Sequence, residues 1–224
     1  MLKRFNLLLL LGLFDYSGTN VITVKGKKGG NATLSCEIEA KDIYYVELSR
    51  LKSVVFCQNE ERESESQNGR VFRNKSCDVI ITDLRLSDAG KYILKVFYTD
   101  TQTEVKEQTS VYRLHFHGEI SVKKGEELKL DVLLSNAYKV VHWTKRGTGE
   151  KEDWIRGRGV RSHRVTFRDG NLIINNFTAT DAGTYEVLDT EGGILIMLTI
   201  KESKKKINDT NGESRRDTSP PPDI

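Results

Sequence analysis

The string Leu86-Ser87-Asp88-Ala89-Gly90-Lys91-Tyr92 returns about one domain later as Ala179-Thr180-Asp181-Ala182-Gly183-Thr184-Tyr185. Asp-x-Gly-x-Tyr suits a sharp corner that leads into a β-strand. Glycine takes the backbone where other residues are strained, and the tyrosine hydroxyl bonds back to the corner. The strands ahead of the corners match as well, Asp78-Val79-Ile80-Ile81 against Asn171-Leu172-Ile173-Ile174. So do the segment starts, Lys27-Lys28-Gly29 before Ala32-Thr33-Leu34-Ser35-Cys36 and Lys123-Lys124-Gly125 before Leu128-Lys129-Leu130-Asp131-Val132. Three matching features in the same order, about one domain apart, describe a duplicated β-sandwich.

Lys3 and Arg4, a leucine-rich run to Leu13-Phe14 and the small pair Ser17-Gly18 are laid out like a secretory signal peptide over residues 1–18. What remains suffices for two sandwiches of about 100 residues, each with its own core. A formal charge of +3 gives no field for nucleic acid. Sequons at Asn31, Asn74, Asn176 and Asn208 fit a secretory route and N-glycosylation. Ile194–Ile200 is far shorter than the roughly twenty residues of a membrane span and reads as the last strand. The polar tail 202–224, with Pro220-Pro221-Pro222, is expected to be disordered and holds no apolar anchor. These readings predict an extracellular, secreted product, or a cell-surface one if an anchored isoform exists.

Period-2 alternation places one sandwich at residues 19–117 and a second at 118–201, with Gly118 the only flexible point between them. Tyr112, Leu114 and Phe116 alternate with Arg113, His115 and His117. Asn59 to Glu65 reads as a charged loop. Arg70 and Arg164, each opening a strand, are placed to reach the corner carboxylates of Asp88 and Asp181, ahead of Tyr92 and Tyr185.

Together these residues resemble the immunoglobulin superfamily, and among its members the two-domain ectodomains of leukocyte receptors and adhesion molecules, including immune-type proteins of bony fish. The resemblance implies an all-β fold of two tandem immunoglobulin-like sandwiches, the first variable-like, since the span between strands C and D leaves room for C′ and C″. Trp143, eleven residues after Val132, then falls at the strand C tryptophan packed against the core. One departure is large. The disulfide that usually pins strands B and F is missing, because Leu94 and Val187 stand where the strand F cysteine belongs. Val132 and Val187 replace the pin in the second sandwich, and Cys36 is expected against Leu94 as a small buried hydrophobe.

Three cysteines leave one over. Cys57 and Cys77 bracket the charged segment, and a bridge between them would close a loop of about twenty residues, worth roughly 3 kcal/mol. Cys77 alternatively stays buried or bonds Cys36 on the adjacent strand.

Nothing in the four histidines, three cysteines or glycines has the spacing of a metal site, nucleophile elbow or phosphate loop, so no enzyme, cofactor or metal is expected. His115 and His117 share a strand face and read better as solvated than as ligands. For binding, alternation from Tyr92, Leu94 and Val96 sends Ile93, Lys95 and Phe97 outward on the G-F-C-C′ sheet. Tyr45, Glu47, Arg113 and His115 join them in an apolar patch with a charged rim, the mark of a partner site. The expected function is protein recognition, with another immunoglobulin-type surface molecule as partner in immune adhesion or receptor–ligand binding. Its rivals are a soluble decoy and a glycan- or phospholipid-binding protein that uses the basic cluster Arg156, Arg158, Arg161 and Arg164 for polyanion contact.

Overall fold

A computed structural model describes residues 20–38, 42–59, 62–66, 69–74, 77–99, 104–132, 134–144, 150–160 and 164–203. The expected signal peptide, Arg161, Asn208 and nearly all of the polar tail lie outside these residues. The described residues form an all-β fold, two sandwiches in tandem. The first contains β1 (Val21–Gly26), β2 (Ala32–Leu34), β3 (Asp42–Arg50), β4 (Ser53–Asn59), β5 (Arg62–Ser66), β6 (Val71–Arg73), β7 (Val79–Ile81) and β8 (Gly90–Thr99). A long strand, β9 (Val105–Val122), leads into the second. That one adds β10 (Leu128–Asp131), β11 (Lys139–Thr144), β12 (Glu150–Ile155), β13 (Gly159–Val160), β14 (Val165–Arg168), β15 (Asn171–Ile174), β16 (Gly183–Leu188) and β17 (Ile194–Glu202).

Two three-stranded sheets, β2-β7-β6 and β10-β15-β14, each cover part of one eleven-stranded sheet, ordered β13-β12-β11-β16-β17-β9-β8-β3-β4-β5 with β1 on β9. The segment read as a charged loop overlaps β5, which pairs with β4 and supplies the C″ edge. The expected join at Gly118 is not a linker. Gly118 lies inside β9, which pairs in parallel with β1 over Val111–Phe116 and then with β17 over Phe116–Val122. A β-carbon on Gly118 would meet the Leu198 side-chain tip at 2.8 Å, so any larger residue here would make that leucine shift.

The duplication is visible bond by bond. The Gly29 N–H donates to Leu84 O at 2.7 Å, and the Gly125 N–H donates to Phe177 O at 2.8 Å. The Tyr92 hydroxyl donates to Asp88 O at 2.7 Å and Tyr185 to Asp181 O at 2.9 Å, closing both corners as expected. Arg70 grips both oxygens of Asp88 at 2.9 and 3.0 Å, and Arg164 pairs with Asp181. Burial alone would raise the Asp88 carboxyl, but Arg70 and the Arg85 N–H outweigh it and hold Asp88 below the ordinary carboxylate range. Asp181 is lowered in the same way, against burial, by Thr178 and Arg164.

Two expectations about the cores are corrected. The disulfide joins Cys36 to Cys77, not Cys57 to Cys77, with Cα atoms 5.4 Å apart. The register shows why: Ala32 faces Ile81 and Leu34 faces Val79, so the next same-side pair beyond the ladder is Cys36 and Cys77. Cys36 is therefore oxidised rather than a free hydrophobe against Leu94, and Cys57 is the half-buried free thiol. In the second sandwich Trp143 is 41% exposed, and Trp154 of β12, 5% exposed, fills the core. His142 takes the inward place next to Trp143, stacked on Tyr185 with ring centroids 4.1 Å apart. Val132 and Val187 are both buried, so this sandwich closes on an apolar contact where a pin would stand.

Candidate functional site

The outer surface of β8 and β3 follows from alternation. Tyr92, Leu94 and Val96 are buried, which turns Ile93, Lys95 and Phe97 to the other side, where they are half-buried. Directly opposed residues of antiparallel strands share a face. Tyr45 opposes Phe97, Glu47 opposes Lys95, and Ser49 opposes Ile93. On the flanks Cys57 opposes Glu47, and Glu107 opposes Phe97.

Tyr45 and Phe97 are in ring contact, centroids 5.7 Å apart. The β3–β8 register shifts between Ile43 and Tyr45, so Tyr44 also lies against Phe97, at 6.3 Å. Tyr44 escaped the alternation pattern because strict period two puts it on the opposite side from Tyr45, and periodicity carries no sign of a bulge. The Tyr45 hydroxyl donates to Glu47 Oε2 at 3.1 Å. Burial, then that hydrogen bond and the Glu47 charge, push the Tyr45 phenol up to about 12. Tyr45 thus remains a protonated donor at any physiological pH. Lys95 lies 3.7 Å from Glu107, whose carboxylate also accepts from the Thr109 hydroxyl.

Two expected members of this face are occupied elsewhere. Arg113 points to the proper side of β9 but pairs with Asp189 at 2.5 Å and with Glu191 at 3.5 Å, both on the β16–β17 turn of the second sandwich. His115 is 8% exposed, too buried to offer a contact. Burial first, then the nearby His117 and Lys25, hold its imidazole below the usual histidine range. Its ring is 4.6 Å from that of His117, and among the described residues no group of three or more His, Cys, Asp or Glu could hold a metal ion.

The basic cluster is largely committed to structure. Arg156 donates to the carbonyls of Ala137, Leu134 and Ser135 at 2.7, 3.0 and 3.2 Å and lies over the Trp154 ring. Arg164 belongs to the corner pair with Asp181, leaving Arg158 exposed. Asn31, Asn74 and Asn176 are exposed. No helix among the described residues is long and apolar enough to cross a membrane.

A sequence model of the immunoglobulin V-set domain matches residues 20–117. Among solved structures, CD84 covers 43% of this chain and 97% of its own at 19% identity, TM-score 0.37. The two tandem V-type regions of VCBP3, titled a v-region-containing chitin binding protein, cover 82% and 97% at 17% identity, TM-score 0.30. Murine CEACAM1b covers 82% and 99% at 12% identity, TM-score 0.34. No curated protein matches the sequence.

Proposed function

Since residues 20–117 match the sequence model of the immunoglobulin V-set domain, we propose that this chain is an extracellular, non-enzymatic recognition protein whose partner docks on the outer face of β3 and β8. The reading takes residues 19–117 and 118–201 as the two domains, residues 1–18 as a secretory leader and the exposed sequons as glycan sites. One observation carries it: Tyr44, Tyr45 and Phe97 meet on an outer strand face, ringed by Glu47, Lys95 and Glu107. An aromatic centre with a charged rim is the anatomy of a protein interface, in which a few anchors carry most of the energy. The proposed partner is another immunoglobulin-type surface molecule, in immune adhesion or receptor binding. Arg113 and His115 are left out of this interface. The polyanion reading loses support because Arg156 and Arg164 are bonded within the fold.

Binding to intact leukocytes tests the proposal. Tyr45→Ala and Phe97→Ala, each confirmed folded, should weaken binding by about 2 kcal/mol or more. Lys95→Ala should mainly change association rate and salt dependence. Full binding by the Tyr45 and Phe97 variants would sink the interface.

A further inference from the structure

Strand β9 changes neighbours at one point. Its ladder with β8 runs only as far as Leu114, and its pairing with β1 ends at Phe116, opposite Gly26. Pairing with β17 begins at that same Phe116, opposite Ile196. The first sandwich is left and the second entered within three residues. His115 stands in that interval and His117 just beyond it, on one face of β9, with ring centroids 4.6 Å apart. His115 is 8% exposed, and its Nε2 is buried without a hydrogen-bond partner.

Among the described residues, the charges around His115 are either positive or already engaged. Lys25 of β1 is its direct partner in the register. Along β9, His117 follows it on the same face and Arg113 precedes it. The carboxylates nearest in the fold are those of the β16–β17 turn, and both are held: Asp189 and Glu191 pair with Arg113, and Glu191 also pairs with Lys91 of β8. The second oxygen of Asp189 accepts from the Glu191 and Gly193 N–H groups. From β17 come Ile196 and Met197, neither of them ionisable. A neutral imidazole has one N–H to satisfy, whereas the imidazolium has two and a full charge. Buried among cations, that charge has no partner and is costly.

We propose that His115 makes this junction acid-sensitive: when it gains a proton, the β9–β17 ladder from Phe116 to Val122 loosens while each sandwich stays folded. Burial, His117 and Lys25 hold the closed-state imidazole below the usual histidine range, which sets the sign. With the junction open, His115 meets water and takes up its proton near the ordinary value of about 6.5. Below that pH the open state binds more protons than the closed one and is favoured by up to about tenfold per pH unit. The gain levels off once pH passes the closed-state value, and above about 6.5 the junction does not respond. Tyr45 and Phe97 take no part, so the partner face stands or falls separately.

The test is amide hydrogen exchange on the full chain between about pH 7.5 and about pH 5, corrected for the intrinsic pH dependence of exchange. Opening at the ladder amides of β9 beyond Phe116 and of β17 should be flat at the upper end and rise by up to about tenfold per unit below about 6.5. Amides of β3 and β8 should change less than about twofold over the same range. His115→Phe keeps a ring of similar size without a titratable nitrogen and should flatten the β9–β17 profile. His115→Gln, a smaller neutral side chain, should do the same, so that if one variant fails to fold the other decides. A flat profile in the parent protein would overturn the proposal. So would a rise that survives in a folded His115 variant, as protonation of the buried His142 would give, or one shared equally by β3 and β8.

Discussion

Which tryptophan faces inward decides the core of the second sandwich. The distance from Val132 places β11 but not its phase, and a strand shifted by one residue turns every side chain over. The phase comes from β16: Tyr185 and Val187 are buried, and their direct partners are His142 and Val140. Trp143 must then point outward, where its indole N–H donates to Glu186 at 3.0 Å. We expect Trp154→Ala to cost about 3–5 kcal/mol in chemical denaturation and Trp143→Ala below about 1 kcal/mol. The cysteines were open at the sequence level for a similar reason. Parity showed Cys77 inward, but only the β2–β7 register singles out Cys36. Non-reducing peptide mapping should recover a Cys36–Cys77 peptide and no Cys57–Cys77 peptide. Cys36→Ser, which opens a loop with a sequence separation of 41, should cost about 4 kcal/mol.

Among the elements, the two corners were legible because their bonds are local: each tyrosine reaches back four residues and each aspartate receives an arginine from the strand start. The lowered carboxyls link these corners to pH. A carboxylate depressed on folding contributes stability above its unfolded pKa of about 3.9, and that contribution is lost as pH falls through the depressed folded value. Asp88→Asn should cost about 3 kcal/mol at pH 7, since it breaks a largely buried pair. Its deficit against the parent protein should shrink in denaturation measured at progressively more acid pH, and a constant deficit would contradict the assignment. The loss of Arg113 from the outer face was not legible, because its partner lies 76 residues away on another turn. Local alternation reports the side of a strand, not what packs on it. That turn is shaped around the arginine: Asp189 Oδ1 accepts from the Glu191 and Gly193 N–H groups. A β-carbon on Gly193 would overlap the Arg113 guanidinium. Gly193→Ala should therefore displace Arg113 and reproduce the junction loosening of Arg113→Ala, read as faster amide exchange at Asp189 and Arg113.

At the scale of the whole molecule, the duplication and both sandwiches were readable from repeats, whereas the manner of their joining was not. A short glycine-containing join suggests a stiff hinge, but only pairing shows that every residue of β9 from Val105 to Val122 stands in a ladder with β8, β1 or β17. Arg113–Asp189, Lys91–Glu191 and the bond from Asn136 to Ala89 O brace the same junction. NMR relaxation should give one rotational correlation time for both sandwiches, and two distinct times would show a working hinge.

The unbroken strand also settles how the protein would carry load. The described chain leaves the second sandwich at Ser203, immediately after β17, which runs parallel to β9. Tension applied there, with the outer face of β8 held by a partner, draws β17 lengthwise along β9, and β9 lengthwise along β8. Hydrogen bonds perpendicular to the pull must then yield together instead of one after another, as they would in a peeled edge strand. The junction, where a tandem protein with a loose linker would first extend, is here loaded in shear.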